Sequence, residues 1–233
     1  LLIMTRQQNI STYISRTAIS LILLATTLLP AGAQNKTFTI QNDSVPLFNG
    51  FAVSFDLVGP AMQALGDYGE FEAALRINLH DQYFPIFEMG YGCAEHDDEV
   101  TGIYYKTAAP YFKLGCDLNL LRNKHAPNRL YGGLRYAFTA YNVDISRDDI
   151  TDPVWGTTTN FAVNGDKCNQ HWAEIVFGLD AKIFGPLHMG WMFRYKRRLF
   201  HKDPSVGNAW YVPGYGIYGD TRLGANFNII IDI

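Results

Sequence analysis

The sequence predicts an all-β protein: an eight-stranded antiparallel up-and-down transmembrane β-barrel preceded by a signal peptide. Three observations carry that expectation. Eight segments of about 8 to 13 residues alternate apolar and polar side chains with a period of two, and a tilted strand needs ~9–11 residues to cross a bilayer. The connections between the segments alternate between short and long, as in membrane barrels with tight turns at one end and extended loops at the other. The composition suits strands and turns: 14 Tyr and 15 Phe accompany 21 Gly, and only 18% of residues are charged, against roughly 25% in ordinary soluble domains.

The chain opens with an address. Arg6 and Arg16 give a positive n-region, Ala18 to Leu29 is a largely apolar run, and Ala31-Gly32-Ala33 is a small-x-small cleavage site. This is the pattern of a secretory signal over residues 1–33. The run is shorter than the ~20 residues of a spanning helix, and no Cys follows the cleavage site to make a lipoprotein. Residues 34–48 are expected as a periplasmic lead-in and 49–233 as the barrel. No later segment approaches a transmembrane helix. A membrane role therefore requires a closed sheet, since hydrocarbon offers no partner to unpaired backbone groups.

The eight segments follow in order. Phe51, Val53, Phe55 and Leu57 alternate with Ala52, Ser54 and Asp56, and Phe71, Ala73, Leu75, Ile77 and Leu79 with Glu72, Arg76 and Asn78. Tyr83, Pro85, Phe87, Met89 and Tyr91 alternate with Glu88, Gly90 and Gly92; Phe112, Leu114, Cys116 and Leu118 with Lys113, Gly115, Asp117 and Asn119. Leu130, Gly132, Leu134, Tyr136 and Phe138 are set against Arg135 and Thr139, and Ala173, Ile175, Phe177, Leu179 and Ile183 against Glu174, Asp180 and Lys182. Met189, Trp191, Phe193 and Tyr195 are set against His188, Gly190, Arg194 and Lys196, and Leu223, Phe227, Ile229 and Ile231 against Asn226, Asn228 and Asp232. Asp81-Gln82, Leu121 to Arg129 and Phe184-Gly185-Pro186 are the short connections; Ala94 to Pro110, Asp144 to Gln170 and Phe200 to Asp220 are long ones. A closed barrel has no edge to hide a missing N–H. Pro85 is therefore expected near the start of its strand, and the fourth strand is expected to begin at Tyr111, after Pro110. Tyr83, Tyr91, Tyr104, Tyr105, Tyr111, Tyr131, Trp172, Trp210 and Tyr211 fall near strand ends and suggest interfacial girdles.

An eight-stranded barrel leaves an interior wide enough only for side chains. The polar faces put Asp56, Glu72, Arg76, Glu88, Lys113, Asp117, Arg135, Glu174, Asp180, Lys182, Arg194 and Lys196 inside. Six acids and six bases in a narrow lumen are expected to pair into a plugging network, because an unpaired buried charge is costly. Cys93 and Cys168 map to the outer end, a map compatible with a disulfide, while Cys116 faces outward.

Chemistry-bearing motifs are sparse. His96-Asp97-Asp98-Glu99, His171 and His201-Lys202-Asp203 lie near the outer rim, in no compact metal spacing. There is no Gly-x-Ser-x-Gly elbow, phosphate-cradling loop or Cys-x-x-Cys. The net charge of −3 gives no footprint for nucleic acid, and the basic run Lys196-Arg197-Arg198, which follows Arg194, is placed to meet lipopolysaccharide head groups.

The leader ending in Ala33-Gln34, the stretch Tyr83-Phe84-Pro85-Ile86-Phe87-Glu88-Met89-Gly90-Tyr91-Gly92, and Pro110-Tyr111-Phe112-Lys113-Leu114-Gly115 resemble an uncharacterised outer-membrane barrel family of Bacteroidetes, labelled only as a domain of unknown function. The resemblance implies an outer-membrane barrel and brings no catalytic residues. The chain departs from many membrane barrels in ending Ile231-Asp232-Ile233, with Phe227 the nearest aromatic. The resulting expectation is a monomeric outer-membrane barrel without catalytic residues, cofactor or metal. Its role would be structural, adhesive or in small-solute handling, and its partners membrane lipid, lipopolysaccharide and the barrel assembly machinery. Two alternatives stand beside it: a barrel hydrolase or lipid-modifying enzyme using the rim histidines, and a secreted soluble barrel with its faces reversed around a hydrophobic ligand.

Overall fold

The computed structural model describes residues 46–151 and 154–233. The expected signal peptide and nearly all of the lead-in lie outside them. The described chain builds β1 (Phe48–Asp56), α1 (Val58–Leu65), β2 (Tyr68–Leu79), β3 (Tyr83–Asp98) and β4 (Ile103–Asn119). It continues with β5 (Arg129–Thr151), β6 (Thr158–Phe184), β7 (Leu187–Lys202), β8 (Tyr211–Val212), β9 (Gly216–Ile217) and β10 (Thr221–Asp232). Eight antiparallel strands close in the order β1-β10-β7-β6-β5-β4-β3-β2, and β8 pairs with β9 in a separate hairpin.

The period of two becomes two faces of one wall. Phe55, Leu75 and Phe177 point outward and are 45–49% exposed, while Glu88, Asp117 and Arg135 point inward and are buried. The reversed arrangement, with the apolar side chains converging on a ligand, is therefore not the one formed. On β5 the outward face stays apolar through Leu130, Leu134, Tyr136, Phe138 and Ala140, then turns polar at Asn142. Neighbouring strands change at the same level, with Glu95, Lys106, Lys167 and Arg197 exposed above it.

Three expectations about the connections and the aromatic girdle are corrected. β4 begins at Ile103, not Tyr111, and carries Pro110 inside it, opposite Tyr91 of β3. The ladder to β5 stops at Thr107↔Val143 and resumes in the same register at Tyr111↔Thr139. Pro110 thus sits where one neighbour asks nothing of its missing N–H, and its carbonyl accepts from Thr139 Oγ1 at 2.9 Å. The stretches expected as long second and third loops are mostly strand: β3–β4 and β5–β6 rise as hairpins beyond the apolar band, and among the described residues they turn near residues 99–102 and 154–157. The girdle is also smaller than expected, because Tyr105, Tyr111, Tyr131, Trp172 and Tyr211 are buried inside the barrel.

The first connection forms α1. Its position is set by close approach: a Cβ at Gly59 would stand 2.0 Å from Glu70 O, and one at Gly69 would stand 2.6 Å from Gln63 N. Backbone cannot give way as a flexible side chain can. Gly59→Val is expected to cost about 1–3 kcal/mol of stability by overpacking, whereas Gly132→Ala, with nothing nearer than 3.4 Å, should leave the melting temperature nearly unchanged. Equal melting temperatures for the two variants would contradict this seating of α1.

At the turn end, Asp81 gathers three segments. Its carboxylate accepts from Asn49 Nδ2 at 2.9 Å and Asn78 Nδ2 at 2.6 Å, and lies 2.7 Å from His125 Nδ1. Burial pushes its pKa up, but the bonds to His125, Asn78 and Asn49 outweigh that and hold it below the ordinary value. A depressed carboxylate stabilises the fold above its unfolded pKa, and that contribution is lost as pH falls through the lower folded value. Melting temperature should therefore fall on acidification below pH ~4, and the acid arm should be shallower in Asp81→Asn. Superimposable profiles for the two proteins would rule this clasp out.

Candidate functional site

The charged side chains of the barrel interior join into one chain of ion pairs drawn from six strands. Arg76 of β2 reaches Asp180 at 2.6 Å and Asp117 at 3.6 Å. Arg135 of β5 grips Asp117 with two bonds, at 2.6 and 2.8 Å, and turns its Nε to Glu88 at 3.0 Å. A planar guanidinium supplies this fork; an ammonium cannot. Arg194 of β7 then contacts Glu88 at 2.9 Å, Glu174 at 3.2 Å, and Glu72. Lys113 closes the group, 2.7 Å from Glu72 and 3.3 Å from Glu174. Aromatic groups frame it: Tyr111 Oη donates to Glu72 at 3.0 Å, Trp172 Nε1 donates to Glu174 at 2.7 Å, and the Arg76 guanidinium lies 4.6 Å from the Tyr131 ring centre.

Three of the twelve residues assigned to this network play other parts. Lys182 is exposed; it lies beyond the Asp180 level, beside the Phe184–Pro186 turn, where alternation no longer meets a facing wall. Asp56 is buried but accepts backbone N–H groups, from Gly59 at 2.8 Å and from Val58 and Phe227 at 3.2 Å. It thereby ties β1 to α1 and β10. Lys196 is buried and donates to Gly214 O at 2.9 Å, with no carboxylate within 4 Å among the described residues.

Above the ion pairs the lumen is filled by the fourth outer connection, a stretch expected as a long loop. Ala209, Tyr211, Val212 and Tyr215 pack with Tyr105, Tyr111, Tyr141 and Trp172 in one apolar cluster. Val212-Pro213-Gly214-Tyr215 is a tight turn: Tyr215 N donates to Val212 O at 3.0 Å, and Gly214 has φ +78°. The Pro-Gly pair at its centre is what a type II turn requires. Gly214 also lies against the Tyr111 ring, where a Cβ would stand 2.4 Å away. Tyr105 Oη donates to Tyr211 O at 2.7 Å and fixes the hairpin to the wall. The signal for this plug was the density of aromatic and apolar residues in Ala209 to Ile217, unusual for a solvated loop.

Below the ion pairs, a cavity of about 250 Å³ opens at the turn end, lined by Arg76, Phe84, Arg129 and Asp232. The lumen is thus closed by two unlike layers, one ionic and one aromatic.

The rim groups do not assemble. His96 pairs with Asp67 at 2.7 Å and stacks on Trp210 with ring centres 4.3 Å apart. His171 meets Tyr136 Oη at 2.8 Å, and His201 meets Asp203 at 3.2 Å. No group of three or more His, Cys, Asp or Glu placed to hold a metal ion occurs among the described residues. The Cys93–Cys168 disulfide does not form, and all three cysteines are free. Cys93 points out of β3 and donates to Gln63 at 3.0 Å, whereas Cys168 points into the barrel from β6, three strands away. Two thiols on opposite faces of the wall cannot meet the geometry of the bond.

Residues 14–232 match the family described as Domain of unknown function (DUF6048). No curated protein matches the chain. Among solved structures, it is similar to a crystal structure of a major outer membrane protein from Thermus thermophilus, at 14% identity and a TM-score of 0.43, covering 78% of this chain and 98% of that one.

Proposed function

The chain belongs to the DUF6048 family, and we propose, from the barrel's surface chemistry, a non-enzymatic outer-membrane barrel, monomeric, with a sealed lumen. The carrying observation is the outward belt: Phe55, Leu75, Phe87, Leu114, Leu134, Phe177, Phe193 and Ile231 are exposed on successive strands. A soluble monomer rarely leaves a continuous apolar patch beyond a few hundred Å². A belt around a closed barrel suits hydrocarbon, because neighbouring strands pair most of each other's backbone groups. The apolar stretch of β5, Leu130 to Ala140, matches the ~9–11 residues of a crossing strand. Export through the leader over residues 1–33 brings the chain to the assembly machinery, and Arg197 and Arg198 lie at the level of anionic lipopolysaccharide head groups. The ionic and aromatic layers support a structural or surface role over a pore.

Membrane fractionation with a gel-shift assay tests this reading. The protein is expected to pellet with outer membrane, and to change mobility on boiling as a folded barrel opens. Recovery in the soluble fraction without detergent defeats the proposal.

A further inference from the structure

The cylinder wall is incomplete in one quadrant. β10 begins at Thr221, but β1 pairs with it only from Asn228 to Asp232. Leu57 N donates to Phe227 O at 2.9 Å, and the chain then leaves the sheet as α1. α1 stands beside the unpaired half of β10. It carries no charged residue, and its first two N–H groups, of Val58 and Gly59, donate to the Asp56 carboxylate.

A cavity lies on each side of this helix. The outer one is an open surface groove of about 470 Å³, apolar, lined by Leu57, Ala61, Leu65, Trp191 and Phe227. The inner one, about 420 Å³, is lined by Glu70, Lys196, Tyr211, Tyr215 and Arg222. Val58, Met62 and Tyr68 belong to both, so three side chains divide them. Both volumes fall in the range of small-ligand sites, ~300–1,000 Å³.

The inner cavity holds a lumen cation that stands outside the chain of ion pairs. Lys196 is 6% exposed, donates only to Gly214 O and has no carboxylate within 4 Å among the described residues. An ammonium carries three donors, of which Gly214 O takes one, and the Glu70 carboxylate that lines the same cavity does not come within 4 Å of it. Arg222, on the same wall, is held by the carbonyls of Ile217 and Tyr218. Glu70 is the acid lining this cavity, which leaves its charged lining net positive.

Register adds a direction. Lys196 lies opposite Arg222, and Trp191 lies opposite Phe227, five residues nearer the turn end. That separation is roughly 17 Å along the strand. Lys196 sits at the upper edge of the apolar belt, and the outer groove descends from there towards its middle, as an acyl chain of the outer leaflet does.

We propose that this quadrant is a lateral binding site for a long-chain fatty acid, its carboxylate on Lys196 and its chain passing Met62 into the groove of Leu57, Trp191 and Phe227. An ammonium with donors to spare calls for an anionic group, and the apolar groove calls for its tail. The proposal rests on the membrane reading above.

Palmitate is the probe, titrated against the full chain in lipid nanodiscs with empty discs as background. Saturable one-to-one binding is expected. Lys196→Met should weaken it roughly tenfold or more, the worth of a charge-assisted hydrogen bond. Met62→Trp, which fills the passage, should weaken it comparably, and Lys182→Met at the opposite end should leave it unchanged. Hexadecanol, which has the same chain without the charge, should compete at least tenfold less well. Undiminished binding by Lys196→Met or Met62→Trp, parity of hexadecanol with palmitate, binding of lipopolysaccharide alone, or no saturable binding each overturns the proposal. If Lys196→Met fails to give the boiling-dependent gel shift, Met62→Trp and hexadecanol decide. A folded, membrane-embedded barrel that ignores palmitate refutes this site alone, whereas a chain found soluble refutes the membrane reading beneath it.

Discussion

Replacing Arg194 with methionine is expected to lower the barrel's resistance to unfolding by about 3–5 kcal/mol, the loss typical of breaking a buried ionic group by removing one partner. Arg194 is the hub: it touches Glu72, Glu88 and Glu174, all buried. Without it, three carboxylates share Lys113 and the far side of Arg135. The loss reflects stranded charge more than missing attraction, so adding Glu88→Gln to Arg194→Met should restore part of the stability. Glu88→Ala and Arg135→Ala should each lower resistance as well, since each cuts the chain of pairs between Asp117 and Arg194. The measurement is the temperature at which the detergent-folded form converts to the boiled form on a gel. An unchanged conversion temperature in Arg194→Met would mean that the ion pairs contribute nothing to holding the lumen shut.

The second large effect concerns the plug. Exchanging Ala209 to Tyr218 for a short Gly-Ser linker removes Tyr211, Val212 and Tyr215 from above Trp172, which is fully buried beneath them. With Trp155 and Trp191 changed to Phe, Trp172 is the remaining tryptophan, because Trp210 leaves with the hairpin. Its emission should shift to the red, and acrylamide quenching should rise several-fold. Conductance across a planar bilayer should nevertheless stay at the level of the intact protein, because the ionic layer lies below the hairpin. A shielded Trp172, or an open pore from this deletion alone, would contradict the two-layer description.

The faces of the wall were legible in the sequence because alternation is a local property: Glu88 between Phe87 and Met89, or Arg135 between Leu134 and Tyr136, states its side of the sheet without reference to anything distant. What lay beyond reach depended on the third dimension. α1 spans eight residues with Gly59 and Pro60 in its first turn, too short for a helical period to emerge. The plug's seat on Tyr111 and Tyr105 joins residues about a hundred positions apart. Tyr111 did carry a readable sign, since it shares parity with Lys113 and Asp117 and therefore the inward face. Its nearness to a strand end suggested a girdle instead. Lys196 illustrates the other limit: its inward direction was readable, but its lack of a carboxylate follows from where Glu70 and Gly214 come to lie.

The seam between β1 and β10 carries a last consequence. These are the first and final staves of the cylinder, and Phe55 must find Ile229 across more than a hundred and seventy intervening residues. Such a ring cannot be joined piecemeal, and loop-closure entropy opposes it until the last stave arrives. Until then every intermediate exposes two raw margins of unpaired backbone. Shortening the chain by its terminal strand therefore yields no smaller cylinder, only an unfinished sheet.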